Sequence, residues 1–93
     1  MIIRIVRMSF KNEKVDEFLS TFNLINQKIR SFKGCTNLSL HQDDEQKNVF
    51  FTISHWESKD DLEAYRQSLL FKETWSKVKL LFDEQPKAFT LKG

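Results

Sequence analysis

Residues 2–8, IIRIVRM, carry apolar side chains in both phases of a strand: Ile3 and Ile5 point one way, Ile2, Val6 and Met8 the other. A strand that is apolar on both faces needs cover on both faces. Asn12 follows as a helix N-cap, with Glu13, Asp16 and Glu17 suited to the positive N-terminal end. Val15, Phe18, Leu19, Phe22, Ile25 and Ile29 then recur at three- and four-residue spacing, which predicts an amphipathic helix with Leu24 almost opposite the stripe. Gly34 can stop that helix in left-handed geometry.

Two short runs come next, CTNLSLH at 35–41 and NVFFTISHW at 48–56, separated by the polar segment Gln42–Lys47. A hairpin is the economical reading. With Leu40 opposite Val49, one face collects Thr36, Leu38, Leu40, Val49, Phe51 and Ile53. The other collects Cys35, Asn37, Ser39, His41, Phe50, Thr52, Ser54 and Trp56. Ser58-Lys59-Asp60-Asp61 resembles a capping box that opens a second helix. Leu62, Tyr65 and Leu69 share one face of it, after which the phase breaks. Phe71, Trp75, Val78 and Phe82 form a second stripe about half a turn out of register, so a kink or break is expected near Ser68–Leu70. Pro86 bars further helix, and Ala88 to Lys92 reads as a last strand. The order β-α-β-β-α-β is the ferredoxin-like split βαβ unit, an α+β fold with an antiparallel sheet.

Ninety-three residues suit one domain, taken here as 1–93. Fifteen basic and 13 acidic residues leave a net charge of +2, interspersed along the chain. That is too little bias for a nucleic-acid footprint. No run approaches the ~20 apolar residues of a membrane span, and Met1-Ile2-Ile3-Arg4 meets a charge too early for a signal peptide. Cys35 is the only cysteine, so no intrachain disulfide can form. The expected setting is soluble and cytoplasmic, with no nucleic-acid or membrane partner.

The βαββαβ order, the helix end SFKGC and above all FFTISHWESKDDLEAYRQSLLFKETW resemble the antibiotic biosynthesis monooxygenase (ABM) domain family, whose members are dimeric α+β barrels. The most specific part is Trp56-Glu57-Ser58 leading to Leu62, Ser68 and Phe71. The resemblance implies a homodimer in which two sheets meet face to face, covering the second apolar face of the first strand. It also implies a pocket between sheet and helices. There cofactor-independent oxygenases act on small phenolic or quinol-like substrates, with no cofactor and no metal. Haem-degrading relatives use an axial histidine, a tryptophan and a strand-one asparagine. Those places correspond here to Trp75, to Tyr65 and to a strand offering only Arg4 and Arg7, which sets haem degradation behind the oxygenase reading. A non-catalytic ligand-binding or interaction protein on the same fold is the alternative function.

Tyr65 and His55 are the candidates for catalytic roles, and Arg4, Asn37, Trp56, Tyr65, Phe71 and Trp75 those for a substrate pocket. Each has a plainer role as well. Trp56 reads first as a bracket at the strand–helix corner, Tyr65 and Trp75 as core, and Arg4 as half of a salt bridge within the dimer. Histidine is the side chain best suited to base chemistry near neutrality, which makes His55 a candidate base. In the assumed register His41 and His55, fourteen residues apart, fall on opposite faces, and no Cys/His/carboxylate spacing suggests a metal site. Cys35 lacks an adjacent histidine and reads as inert. Lys72, Glu73, Lys77 and Lys79 form a solvated helix face.

Overall fold

A computed structural model describes residues 1–93. Strand β1 (Ile2–Ser9) leads through a 3-10 turn at Asn12–Lys14 into α1 (Val15–Arg30). Strands β2 (Cys35–Gln42) and β3 (Val49–Trp56) form a hairpin, and α2 (Lys59–Arg66) and α3 (Leu69–Val78) precede β4 (Lys87–Lys92). All four strands pair antiparallel in the order β2-β3-β1-β4. This is the expected ferredoxin-like α+β fold, with the three helices on one side of the sheet. No helix is long and apolar enough to cross a membrane.

The helix boundaries follow from local chemistry. Asn12 lies inside the 3-10 turn, and no side chain caps α1, so the expected asparagine cap does not form. Helix α1 ends at Arg30, and Gly34, at φ 86°, turns the chain into β2. A side chain at Gly34 would also collide with Asp61, so two reasons favour glycine there. Ser58 Oγ accepts the Asp61 amide at 3.1 Å, the first half of the expected capping box. The expected break between stripes is made by Ser68, whose extended backbone separates α2 from α3. Its hydroxyl donates to the Tyr65 carbonyl at 2.6 Å and accepts the Phe71 amide at 3.1 Å. One side chain thus ends one helix and starts the next. Leu69 falls past the break and points to solvent, not along the face of Leu62 and Tyr65.

The hairpin register departs from the expected one. Leu40 pairs with Thr52 and Gln42 with Phe50, a shift of three residues from the Leu40–Val49 pairing. Because three is odd, the two faces exchange partners. Leu38 and Leu40 share the helix face with Phe50, Thr52, Ser54 and Trp56. Asn37, Ser39, His41, Phe51, Ile53 and His55 share the other, so both histidines lie on the same, uncovered face. The turn explains the shift. Asp43 accepts the backbone N–H groups of Glu45 and Gln46 at 3.0 and 2.9 Å, and its own amide donates to the Val49 carbonyl at 2.8 Å. That compact turn moves the pairing toward the hairpin tip. A bulge between Cys35 and Asn37 then lets the end of β2 pair with Trp56.

The principal core joins Met8, Phe10, Phe18, Phe22, Phe50 and Val78 between sheet and helices. A second cluster of Ile2, Trp56 and Leu62 sits at the other end of the same layer, and Tyr65 packs against both. A polar tie holds the far corner: Ser9 donates to Asp83, and Asn48 donates to the Phe10 carbonyl at 2.9 Å. The opposite sheet face has no cover. Ile3, Ile5, Phe51, Ile53, Phe89 and Leu91 lie on it, the last two 51% and 48% exposed.

Candidate functional site

Between the helix face of the sheet and the three helices lies a cavity of about 280 Å³, with 14 hydrophobic residues among the 20 that line it. Strand alternation supplies its floor: Arg4, Val6 and Met8 from β1, Leu38 from β2, and Thr52, Ser54 and Trp56 from β3. The helical stripes supply its roof. Phe18, Phe22, Ile25 and Ile29 come from α1, Leu62 and Tyr65 from α2, and Phe71, Trp75 and Val78 from α3. The break at Ser68 re-aims the second stripe so that α2 and α3 both face the cavity. Without it Phe71 and Trp75 would turn away. The wall residues Arg66 and Ala88 are exposed, and β4 is exposed along its length, so the cavity opens on that side.

The aromatic wall is continuous. Trp56 is fully buried, donates its indole N–H to Ser54 Oγ at 3.0 Å, and stacks on Tyr65 with ring centres 5.0 Å apart. Phe71 meets the Tyr65 ring edge-on at 5.2 Å and stacks on Trp75 at 5.8 Å. Trp56 is therefore bracket and wall at once: its indole is satisfied by its own strand while its ring supports Tyr65.

Three ionisable groups line the cavity, Arg4, Tyr65 and Arg66, and none is a carboxylate, histidine or thiol. Burial pushes the Tyr65 phenol up to about 12, so it stays protonated and can donate a hydrogen bond at neutral pH. Neither the Tyr65 hydroxyl nor the Trp75 indole N–H bonds to another group of the chain. No fully buried side-chain polar atom is left unpaired, so both donors remain reachable from cavity or solvent. Arg4 donates to Thr90 Oγ1 at 2.7 Å and has no carboxylate partner. Its pKa is lowered, first by burial and then by the nearby Arg66 charge, with Glu63 acting the other way. Arg66 itself bonds Glu63 at 3.3 Å.

The structure brings Arg4, Trp56, Tyr65, Phe71 and Trp75 together at this cavity. It places Asn37 and His55 elsewhere, on the uncovered face, with Asn37 Nδ2 3.4 Å from His55 Nδ1. Asn37 was placed beside Trp56 by an inverted register, whereas His55, adjacent to Trp56 on β3, lies opposite it in either register. His41 shares that face, its Nε2 2.9 Å from Ser39 Oγ. With no imidazole in the wall, the cavity does not fit the axial ligation that haem-degrading relatives use. Cys35 is half-buried and its thiol pKa is raised chiefly by burial, as an inert cysteine requires. Thr52, Ser54, Arg66 and Thr74 also line the cavity. Alternation from an inward Trp56 was the available signal for Ser54 and Thr52; nothing local marks Thr74 or Arg66.

A comparison with curated protein sequences finds no match. Among solved structures, the fold is similar to one described as an antibiotic biosynthesis monooxygenase, with TM-score 0.93 and 17% identity over 100% of this chain and 98% of that one. A conserved protein from Methanosarcina mazei Go1 has TM-score 0.92 and 22% identity, covering 99% and 92% of the two chains. A protein from Mycobacterium tuberculosis has TM-score 0.91 at 14% identity, covering 99% and 93%. At these identities the likeness carries the fold alone. The sequence itself carries more, because the antibiotic biosynthesis monooxygenase family model matches residues 1–76, strands β1 to β3 with nearly all of the cavity's roof, and the chain belongs to that family.

Proposed function

We propose that this protein is a cofactor-independent monooxygenase acting on a small aromatic, quinol-like substrate, and that it works as a cytoplasmic homodimer. The observation that carries the reading is the aromatic-walled cavity in which the Tyr65 hydroxyl and the Trp75 indole N–H are unclaimed. A flat ring stacks well in such a wall. A dry cavity of about 150 Å³ accepts benzene, so 280 Å³ suits one or two fused rings. In the proposed reaction the ionised quinol reduces oxygen: one oxygen atom joins a ring carbon, the other leaves as water, and the substrate supplies all four electrons. The protein excludes water and donates hydrogen bonds to the anion as it develops. A neutral Tyr65 suits that role and does not suit that of a base.

Family membership and the uncovered apolar sheet face support the dimer. Only 15 of the 93 residues are buried in the single chain, so a large share of its apolar surface waits for cover.

One observation favours the second reading, a non-catalytic ligand-binding protein: no general base lines the cavity. Oxygen consumption measured with a panel of one- and two-ring hydroquinones decides between them. The oxygenase should consume oxygen above the spontaneous rate and place one labelled atom from ¹⁸O₂ in the product. Uptake at background with every quinol, alongside measurable binding, would leave the binding protein.

A further inference from the structure

Arg4 is the one charged residue on the helix face of β1, between Ile2 and Val6, and its only side-chain partner is the Thr90 hydroxyl. A guanidinium carries five N–H donors in a planar fork, and one hydroxyl leaves most of them unspent. A half-buried cation without a counter-ion is costly, and a second arginine beside it raises that cost. Arg66 is that second arginine, lining the same cavity from α2. Of the nearby acids, Glu63 is exposed and already bonded to Arg66 and Gln67. Two positive charges against one negative leave the cavity mouth at about +1. Everything deeper is neutral: Val6 and Met8 below, Tyr65, Phe71 and Trp75 above. The site is therefore polarised along its length, with a cationic rim and an aromatic interior.

We infer that the substrate is a one- or two-ring aromatic bearing a carboxylate, held with the carboxylate on Arg4 and Arg66 at the mouth and the ring inside the aromatic wall. This rests on the cavity being the substrate site proposed above, and it adds the charged group that orients the ring. A carboxylate matches the planar fork of a guanidinium through two parallel hydrogen bonds. Arg4 sits two positions before Val6 on one strand face, so a ring attached to that carboxylate lies over Val6 and beneath Tyr65. The lowered Arg4 pKa agrees with an under-compensated cation.

The test uses non-reacting probes, so it does not depend on turnover. Calorimetric titration at pH 7 with 2-naphthoate and with naphthalene-2-carboxamide compares two ligands of nearly one shape that differ in charge. The parent should bind the naphthoate at least about tenfold more tightly, as expected for a charge-assisted pair. Arg4→Gln should bring the two affinities to within about twofold, and Arg66→Gln should reduce the ratio. Equal affinities in the parent, no measurable naphthoate binding, or a ratio undiminished in Arg66→Gln overturns the inference. The last arm holds even if Arg4→Gln fails to fold, because Arg66 is exposed. Oxygen uptake is scored separately. A naphthoate preference without quinol turnover keeps the anion subsite and removes the oxygenase, and turnover without preference does the reverse.

Discussion

On the helix-covered face of the sheet, Ile2, Val6, Met8, Leu38, Phe50 and Trp56 pack beneath α1, α2 and α3; on the other, Ile3, Ile5, Phe51, Ile53, Phe89 and Leu91 meet no helix. Both faces are apolar, and they differ in where the polar groups sit. On the covered face Arg4, Thr52 and Ser54 interrupt the apolar floor of the cavity. On the open face Arg7, Asn37, His41 and His55 lie toward the ends and edge of an unbroken apolar centre. Polar groups converging inside a concave wall recognise a small molecule. A flat apolar centre with a polar rim recognises another surface. The same two-residue alternation thus supplies both, and the helices decide which face becomes which.

The comparison breaks most visibly if the open face is made polar. Ile5 and Ile53 are directly opposite at its centre. Ile5→Glu with Ile53→Lys places opposite charges across the strands, which the sheet tolerates, while removing the apolar centre. Light scattering should give two copies of the 11.1 kDa chain for the parent and one for the variant. Losing four isoleucines from the interface, two from each copy, at about 1.5–3 kcal/mol each should weaken association by about ten-thousandfold or more. A parent that scatters as one chain at every concentration removes the self-binding face from the comparison.

The covered face should respond through stability instead. Trp56 is 0% exposed, and Trp56→Ala should cost about 3–5 kcal/mol in denaturant unfolding, with Leu24→Ala, at a position 78% exposed, within about 0.5 kcal/mol. A Trp56→Ala cost below about 1 kcal/mol would show that its ring is not a bracket.

How far this division could be read from sequence depends on the strand. For β1 it was fully legible: a long run with apolar residues in both phases gives its two faces whatever it pairs with. The helical stripes and the break at Ser68 were equally plain, because stripe phase is local. The hairpin was not. Phe50 and Phe51 are adjacent and both apolar, so alternation could not say which faces the helices. The decision came from the Asp43 turn and from Trp56, which must be covered. That one ambiguity sent Asn37 to the wrong face and gave Leu38 and Leu40 the wrong partners, whereas Thr52, Ser54 and His55 keep their places relative to Trp56 by alternation alone. The cavity's aromatic members were visible as stripes, whereas its polarity was not. Arg66 lies one residue past a stripe position, and only the packing of α2 over β1 places it beside Arg4.

Tyr65 allows the covered face to be probed without a substrate, since it is the only tyrosine in the chain. Its phenol is pushed up to about 12 by burial, above the ordinary 10. A group raised on folding contributes stability that is complete below pH 10 and is lost as pH rises toward 12. Two units correspond to roughly 2–3 kcal/mol. Tyrosinate absorbance should therefore titrate near 12 in the folded protein and near 10 in urea, and Tyr65→Phe should flatten the loss of stability across that window. A folded midpoint at 10 would place the hydroxyl in open water and detach it from the cavity.

The smallest expected change is the most diagnostic, because it separates packing from chemistry at a single atom. Tyr65→Phe keeps the ring stacked on Trp56 and the edge-on contact with Phe71, and removes only a hydroxyl that has no partner within the chain. At pH 7 its stability should stay within about 1 kcal/mol of the parent, since no internal hydrogen bond is lost. If that hydroxyl donates to the quinol anion, quinol-dependent oxygen uptake should fall about tenfold, and 1.36 kcal/mol of lost transition-state stabilisation suffices for that. The fall should appear in kcat more than in KM, because the bond strengthens as charge develops. Both are measured on one preparation. Uptake per folded molecule that is unchanged while melting drops would make Tyr65 a packing residue. The Trp75 indole N–H and the Thr52 and Thr74 hydroxyls would then be the donors left in the wall to meet the anion.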